Sequence, residues 1–278
     1  MSISIRQLVT HEDMYLIQDL EKEIWGMDPI PIHQTYTAVT NGGLLLGAFD
    51  GDRIVGFSYS FAGFANGKVH LCSHMLGTHP DYQSMGVGKL LKEEQLRLAR
   101  DMGYELIVWT FDPLESRNAY LNVSKLYGIC NTYLENWYGE MADGLNKGLP
   151  SDRFKIEWWV SSERVQEQWT PEIAHYDRPF AVKQSVLGNP MIEVELADIP
   201  TNSAGIEVPV PASIQLIKKS EPELALDWRM KIRLICQTLF GAGYALVGVN
   251  RSDEGVHYYQ FVKRDTIPLN IKNEEHVK

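Results

Sequence analysis

The hydrophobic pattern of residues 1–164 alternates between strand and helix periods. Apolar runs on either side of Asp50 and Gly51 predict a hairpin, because an Asp-Gly pair favours a tight turn between two strands. Thr10 is a suitable N-cap for the first helix. In chain order, the pattern predicts a strand at 3–8, helices at 11–25 and 32–40, strands at 44–49, 54–61 and 69–78, a helix at 87–102, a strand at 105–111, a helix at 118–126 and a strand at 154–160. This order is typical of an α/β (α+β) fold, with a mixed sheet flanked by helices.

Beyond about residue 164 the pattern changes. Residues 165–215 show little helical period, although apolar side chains occur throughout. A later amphipathic stretch carries Trp228 on an apolar face that one hairpin is too small to cover. We therefore expect two domains, 1–164 and a smaller C-terminal α+β unit at 165–278 that packs on the first. The elements predicted in this unit are a helix at 221–241 and a hairpin at 244–249 and 256–262.

Composition mainly excludes several classes of protein. Of 278 residues, 44% are hydrophobic and 22% are charged, as in ordinary globular domains, and the formal net charge is −10. A chain this acidic is not expected to bind nucleic acid. No apolar stretch approaches the roughly 18 residues of a membrane-spanning helix. Neither a signal peptide nor a zinc or disulfide pattern is visible. We expect a cytoplasmic protein that has no metal centre and does not bind membranes.

The segment at 76–89 carries the most specific chemistry. A strand is followed by a short loop containing His79-Pro80, and Gly86 and Gly88 then open a helix. The first N–H groups of a helix lack partners and meet the positive end of its dipole, so this start predicts an anion site. Glycine lets a phosphate approach the backbone closely. The dinucleotide fingerprint and the P-loop pattern both fail here, because a required glycine or Ser/Thr is missing.

One known family shares this arrangement. The motif Gln83-x-x-Gly86-x-Gly88, preceded by the segment 78–82 (Thr-His-Pro-Asp-Tyr), resembles the acyl-CoA-binding motif of the GNAT superfamily of N-acetyltransferases. The order of predicted elements over about 3–160 resembles the family as well. The resemblance implies acetyl-CoA or another acyl-CoA as cosubstrate.

The resemblance also implies a location for each part of the cofactor. The central sheet would split in a V between the strands at 69–78 and 105–111, and pantetheine would lie in that split. Backbone groups near Leu76 and Thr78 would pair with the pantetheine amides, and N–H groups of 84–89 with the pyrophosphate. The cofactor-binding residues implied for this segment are Leu76, Thr78, Gln83, Ser84, Met85, Gly86, Val87, Gly88 and Lys89.

The second half of the resemblance is looser. Family members usually follow the fifth strand with an Asn that opens a helix ending in Tyr-x-x-x-Gly. Here Asn118 opens the helix, and the resemblance implies that it contacts the cofactor. Tyr127-Gly128 closes the helix, so the tyrosine is displaced. Ser124 stands at its usual place. Ser124, Lys125 and Tyr127 are therefore rival donors to the leaving thiolate, and Lys125 alternatively binds a phosphate or a carboxylated acyl chain.

The segment 112–122 resembles one GNAT-like subfamily of longer proteins with a C-terminal extension. Some of its relatives are associated with N-acylation, including N-succinylation, of amino acids. This resemblance implies transfer of an acetyl or succinyl group to a small primary amine such as an amino acid, by direct attack on the thioester. Whether the chain forms a homodimer stays open.

The strand at 69–78 carries the candidate base. Under strict alternation, His74 shares a face with Leu76 and Thr78, roughly 13 Å from Thr78. Histidine titrates near neutral pH, so His74 could remove the amine proton or hold a water that does so. A buried structural histidine is the alternative. The candidates for the acceptor site are Trp25, Met27, Tyr36 and Asp112, with core packing as the alternative for the first three and turn capping for Asp112.

Three functions compete at this point. The first is an acyltransferase acting on a small amine, favoured by the intact motif and by His74. The second is a non-catalytic acyl-CoA-binding or sensing module, favoured by the displaced tyrosine. The third is a protein-lysine acetyltransferase, which requires a peptide groove that a sequence cannot show.

Overall fold

A computed structural model describes residues 3–139 and 148–270. The chain divides into two compact units, and each is described by itself. In the described part of the chain, no helix is both long and apolar enough to cross a membrane. The first unit comprises Met1–Trp109 and Trp159–Ser161, and the second comprises Thr110–Trp158 and Ser162–Lys278.

The first unit contains a mostly antiparallel sheet with helices on its faces. Its elements are β1 (Ile3–Gln7), α1 (His11–Trp25), α2 (Ile32–Thr40), β2 (Leu44–Asp50), β3 (Arg53–Ala65), β4 (Lys68–Thr78), α3 (Val87–Asp101) and the start of β5 (Leu106–Phe111). Strands β1 to β4 pair antiparallel in sequence order, and β5 pairs parallel to β4. The predicted mixed sheet flanked by helices is confirmed.

Helix α1 begins and packs as its sequence predicts. Thr10 Oγ1 accepts a hydrogen bond from the Asp13 backbone N–H, and the Asp13 carboxylate accepts from the Thr10 N–H, which forms a capping box. Met14 and Ile17 are buried against Phe57 in the apolar core on this face of the sheet. The helical period therefore identified the core-facing side of α1.

Helix α3 does not bury all of its apolar residues. Leu90 is 39% exposed, whereas the polar residues Lys92 and Gln95 are buried. The reason lies on the sheet, where serine hydroxyls offer hydrogen-bond partners to these polar side chains. The Gln95 amide donates to the hydroxyls of Ser58, Ser60 and Ser73.

A β-bulge interrupts β4 at His74. The β3–β4 ladder pairs Ser60 with Ser73 and Tyr59 with Met75, so that no residue of β3 stands opposite His74. Such a bulge inserts one extra residue and resets the alternation of side chains in the strand that follows.

The predicted common face of His74, Leu76 and Thr78 is therefore wrong. The His74 ring lies beside Tyr59 on the α1 face of the sheet. The Leu76 side chain instead lies on the α3 face, 3.6 Å from the position of a Cβ built on Gly88. Thr78 follows Leu76 by two residues and shares the α3 face with it.

The second unit combines chain segments from both predicted domains. Its elements are the end of β5, α4 (Ser116–Ala119), β6 (Ile129–Leu134), β7 (Arg153–Trp159), α5 (Glu163–Gln166), β8 (Val182–Gln184), β9 (Pro190–Ile192), β10 (Gly205–Pro211), α6 (Ile214–Ser220), α7 (Pro222–Gly241), β11 (Tyr244–Asn250) and β12 (Val256–Lys263). Here the strand order is β7-β6-β11-β12-β10, and β8 pairs with β9 separately. The sequence pattern had missed β6, β8, β9 and β10.

The compact units do not follow the predicted boundary at 164. Cys130 of β6 pairs with Leu246 of β11, so strands from both sides of that boundary share one sheet. Arg164 itself is buried, and its guanidinium donates to the carbonyl oxygens of Gly128 and Val247. A single core thus includes residues before and after position 164.

Candidate active site

The loop before α3 is held by side-chain contacts. The Tyr82 hydroxyl donates to Asp50 at 3.0 Å, and the His79 ring accepts from the Asp81 backbone N–H at 3.2 Å. Ser84 then turns the chain through a left-handed conformation, with φ +67. This local order fixes where helix α3 begins.

The start of α3 exposes a group of backbone donors. Gly86 is the N-cap, with φ +84, and no side chain caps the helix there. Among the described residues, the N–H groups of Gly86, Val87 and Gly88 donate to no acceptor. An added Cβ on Gly86 would meet no atom within 4 Å, so the approach to these N–H groups is open. Together with the helix dipole, the three donors form an anion site.

Strands β4 and β5 diverge close to this helix. They pair only as Leu71 with Ile107 and Cys72 with Val108 in the described part of the chain, while β4 continues alongside β3 to Thr78. We call the point where they part, just beyond Cys72 and Val108, the fork. It corresponds to the V-shaped split that the sequence resemblance implies.

Ser73 is the first residue of β4 that no longer pairs with β5, and His74 follows it. The ring centroid of His74 is 6.1 Å from that of Tyr59 and 5.7 Å from that of Phe61. Solvent still reaches the ring, but the packing around it removes hydration, and this desolvation lowers the pKa of the imidazole below its ordinary value. His74 is therefore neutral at neutral pH and able to accept a proton.

The anion site and the fork are found in a domain of known type. Residues 11–121 match the family model described as the acetyltransferase (GNAT) family. This match assigns residues 11–121 to the GNAT acetyltransferase family.

Solved structures similar to this chain have low sequence identity. They include the ribosomal-protein-S18-alanine N-acetyltransferase from Escherichia coli, at 15% identity over 63% of this chain and 100% of that chain, with a TM-score of 0.46. The Salmonella typhimurium protein yncA, solved with its cofactor acetyl-CoA, has 14% identity over 64% and 99%, with a TM-score of 0.47. An N-acetyltransferase from Staphylococcus aureus Mu50 has 15% identity over 58% and 99%, with a TM-score of 0.46. No curated protein matches the sequence significantly.

The predicted cofactor residues of the GNAT motif gather around the start of α3. Gln83 follows a short helical turn at Pro80–Tyr82, and Met85 is exposed. Lys89 is half-exposed and pairs with Glu93 at 3.2 Å, where it remains accessible to a phosphate. Gln83, Met85 and Lys89 thus lie within three residues, along the chain, of the nearest free N–H group.

The predicted acceptor residues of the first unit lie at the end of α1 and in α2. Trp25 is 38% exposed and packs edge-on against Phe57, and Met27 is 58% exposed. Tyr36 stacks on His11 with ring centroids 4.0 Å apart. Trp25 and Met27 therefore keep accessible surface, whereas the ring of Tyr36 is partly used in packing.

The predicted proton donors belong to the second unit and already have partners there. The predicted helix at 118–126 is instead α4 followed by a π-helical turn at Tyr120–Lys125. Ser124 Oγ accepts from the Val249 N–H at 2.9 Å, and the Tyr127 hydroxyl donates to Gln168 at 3.3 Å. Lys125 is exposed and lies over the Tyr120 ring, 5.3 Å from its centroid, while Asn118 is exposed.

Asp112 has a structural environment. One carboxylate oxygen accepts from the Leu114 N–H at 2.7 Å, which caps the turn after β5. The other accepts from the buried guanidinium of Arg229 at 2.5 Å, and Arg153 lies 3.8 Å away. Turn capping, the alternative to a substrate role, is thus what the contacts of Asp112 provide.

Sequence reasoning missed Lys92, the buried amine at the fork. Its Nζ donates to Ser73 Oγ at 2.8 Å and to Gln95 Oε1 at 3.1 Å. The available signal was a lysine one turn beyond Gly88, at a position that the helical repeat directs toward the sheet.

Proposed function

We propose that this protein transfers an acyl group from acyl-CoA to a small primary amine, such as an amino acid. The observation that carries the proposal is the open set of N–H groups at Gly86, Val87 and Gly88. Because a pyrophosphate is a multiply charged anion, it matches both these donors and the dipole of α3. The Lys89 ammonium adds a positive charge to the same site.

The path of the cofactor follows from the strands beside this helix. With the pyrophosphate at the start of α3, the pantetheine arm would run along the unpaired edge of β4, between Thr78 and Ser73. Backbone groups near Leu76 and Thr78 would pair with its amides. The thioester would then lie at the fork, close to the bulge at His74.

In the proposed reaction the amine attacks the thioester carbonyl carbon directly. His74, or a water that it holds, accepts the proton lost from the amine nitrogen. The lowered pKa of His74 supports this role, because a base must be neutral before it accepts a proton. Trp25 and Met27, with their accessible surface on the α1 side, are proposed to contact the acceptor.

An assay of thiol release tests this function. The protein is incubated with acetyl-CoA or succinyl-CoA and a panel of amino acids, polyamines and lysine peptides. The masses of the products are then measured by mass spectrometry. We expect amine-dependent release of CoA and an acylated small amine. Binding of CoA with no transfer to any amine would indicate a non-catalytic module, and transfer to peptides alone would contradict the small acceptor.

A further inference from the structure

The side chain of Lys92 reaches both strands at the fork. Ser73 and Trp109 are the first residues beyond the last β4–β5 pair, which joins Cys72 to Val108. Lys92 Nζ donates to Ser73 Oγ at 2.8 Å and stands 3.7 Å from the centroid of the Trp109 ring. The amine is thus placed between the two strands where they part.

A buried hydrogen-bond network holds this amine in place. Lys92 is 3% exposed, and its Nζ also donates to Gln95, which in turn bonds to serines of β3. Burying a charged amine carries a solvation cost that is repaid only when its hydrogen-bond geometry is excellent. A leucine would fill the same space without that cost, so the lysine is expected to have a chemical use.

We propose that Lys92 donates the proton that the CoA sulfur needs when it leaves the thioester. This inference rests on the proposed function, in which the thioester lies at the fork. It also supplies the donor that the displaced Tyr127 leaves in question.

The proposed step balances in atoms and charge. The amine nitrogen forms a bond to the carbonyl carbon and loses one proton, and the C–S bond breaks with its electron pair going to sulfur. The Lys92 ammonium gives one proton to that sulfur, so CoA leaves as the thiol. Neutral Lys92 then regains a proton from solvent, which completes the cycle.

The surroundings of Lys92 suit a proton donor at neutral pH. Burial lowers the pKa of its ammonium to about 7, and the electrostatic interaction with Cys72 on β4 acts in the opposite direction. Ser73 on β4, Gln95 on α3 and Trp109 on β5 also face it. A thiol has an ordinary pKa of about 8.5, so proton transfer from such an ammonium to a thiolate is favourable.

Ionisation of bound CoA tests the proposal without any acceptor amine. The ultraviolet absorbance of the thiolate is followed against pH in wild type, Lys92→Met and Arg97→Met. Arg97→Met is the control, because it removes a positive charge from the solvent face of the same helix. In wild type and Arg97→Met we expect the bound thiol to titrate below free CoA by less than about 1.5 pKa units, because a larger shift would place the thiol pKa below that of Lys92 and reverse the proton transfer. In Lys92→Met that shift should disappear.

Turnover supplies a second readout. Lys92→Met should lower kcat by about 10²–10⁴-fold while the Kd for CoA changes less than about twofold. The wild-type rate should fall as pH rises through the pKa of Lys92, because the ammonium is the active form. The pH–rate profile of Lys92→Met should lack this fall. If Lys92→Met does not fold, Ser73→Ala takes its place. Loss of the Ser73 hydroxyl removes a hydrogen bond to the Lys92 ammonium and so lowers the pKa of Lys92. The fall in rate at high pH should therefore begin at a lower pH.

Each outcome separates the two proposals. If CoA binds and its thiol titrates alike in wild type and Lys92→Met, the role of Lys92 is wrong and the proposed function stands. A fall in rate that begins at the same pH in Ser73→Ala as in wild type would also contradict the role of Lys92. If wild type does not bind CoA, both proposals fail.

Discussion

Gly86 and Gly103 stand at opposite ends of α3 with nearly the same left-handed backbone, φ +84 and +85, and an added Cβ would meet no atom within 4 Å at either position. Gly86→Ala and Gly103→Ala should therefore carry similar strain, about 1–2 kcal/mol. Only Gly86 borders the free N–H groups. We predict that Gly86→Ala weakens CoA binding by about tenfold or more, which is about 1.4 kcal/mol, in calorimetric titration.

Gly103→Ala is the matched control and should bind CoA as wild type does. Equal affinities in the two variants would mean that the cofactor does not bind at the start of α3. Gly86→Val is a harsher version of the same change, because a β-branched side chain is especially unfavourable at positive φ.

The start of α3 could be predicted from sequence because its signals are local. The spacing of Gly86 and Gly88 after a strand and a turn needs no knowledge of distant residues. The same holds for α1, where Thr10 and the helical repeat lie within a few turns of each other. Local signals of this kind also located the hairpin at Asp50.

The remaining features depend on pairing between distant segments. The bulge at His74 is set by the register of β4 against β3, which no alternation within β4 reveals. Lys92 is buried because Ser73 and Gln95 lie beside it and accept its hydrogen bonds. A search for apolar positions treats a lysine as exposed to solvent and therefore misses this contact. Strand β6 was missed because β11, its neighbour through Cys130, comes more than a hundred residues later.

We predict that His74→Ala lowers kcat by about 10²–10⁴-fold, while the Kd for CoA stays unchanged. On the acidic side, the wild-type kcat/KM should begin to fall only below the ordinary histidine value of about 6.5, because the pKa of His74 is lowered and the neutral ring is the active form. The variant should lack this acidic limb.

His70→Ala is the control on the same strand, since the His70 ring packs against Gly63 in the ladder and has no assigned role. It should retain the wild-type rate and pH profile. A His74→Ala enzyme with the wild-type profile would show that the base lies elsewhere.

The ion pair between Asp112 and Arg229 should contribute to stability. The Arg229 side chain is only 1% exposed, and loss of one partner from a buried pair typically costs about 3–5 kcal/mol. Arg229→Met should lower the free energy of unfolding by about 3 kcal/mol in urea titration. Arg97→Met breaks an exposed pair with Glu94 and should leave the free energy of unfolding nearly unchanged. Equal losses in the two variants would contradict this account.

A fragment of residues 1–164 should not behave as an independent domain. It would lose β11, which pairs with β6, and the carbonyl of Val247 that accepts from buried Arg164. Unpaired strand edges and an uncovered core favour aggregation. We predict that the fragment is insoluble or inactive when expressed alone. A soluble, monomeric fragment with full activity would show that residues 165–278 are dispensable for the fold.

A crystal structure with CoA bound would show whether this chain holds an acyl-CoA between α3 and the fork. We expect pyrophosphate oxygens within hydrogen-bond distance of the N–H groups of Gly86, Val87 and Gly88, and the sulfur at the fork just beyond Cys72. A pyrophosphate bound elsewhere, or a sulfur directed away from β4, would contradict this expectation.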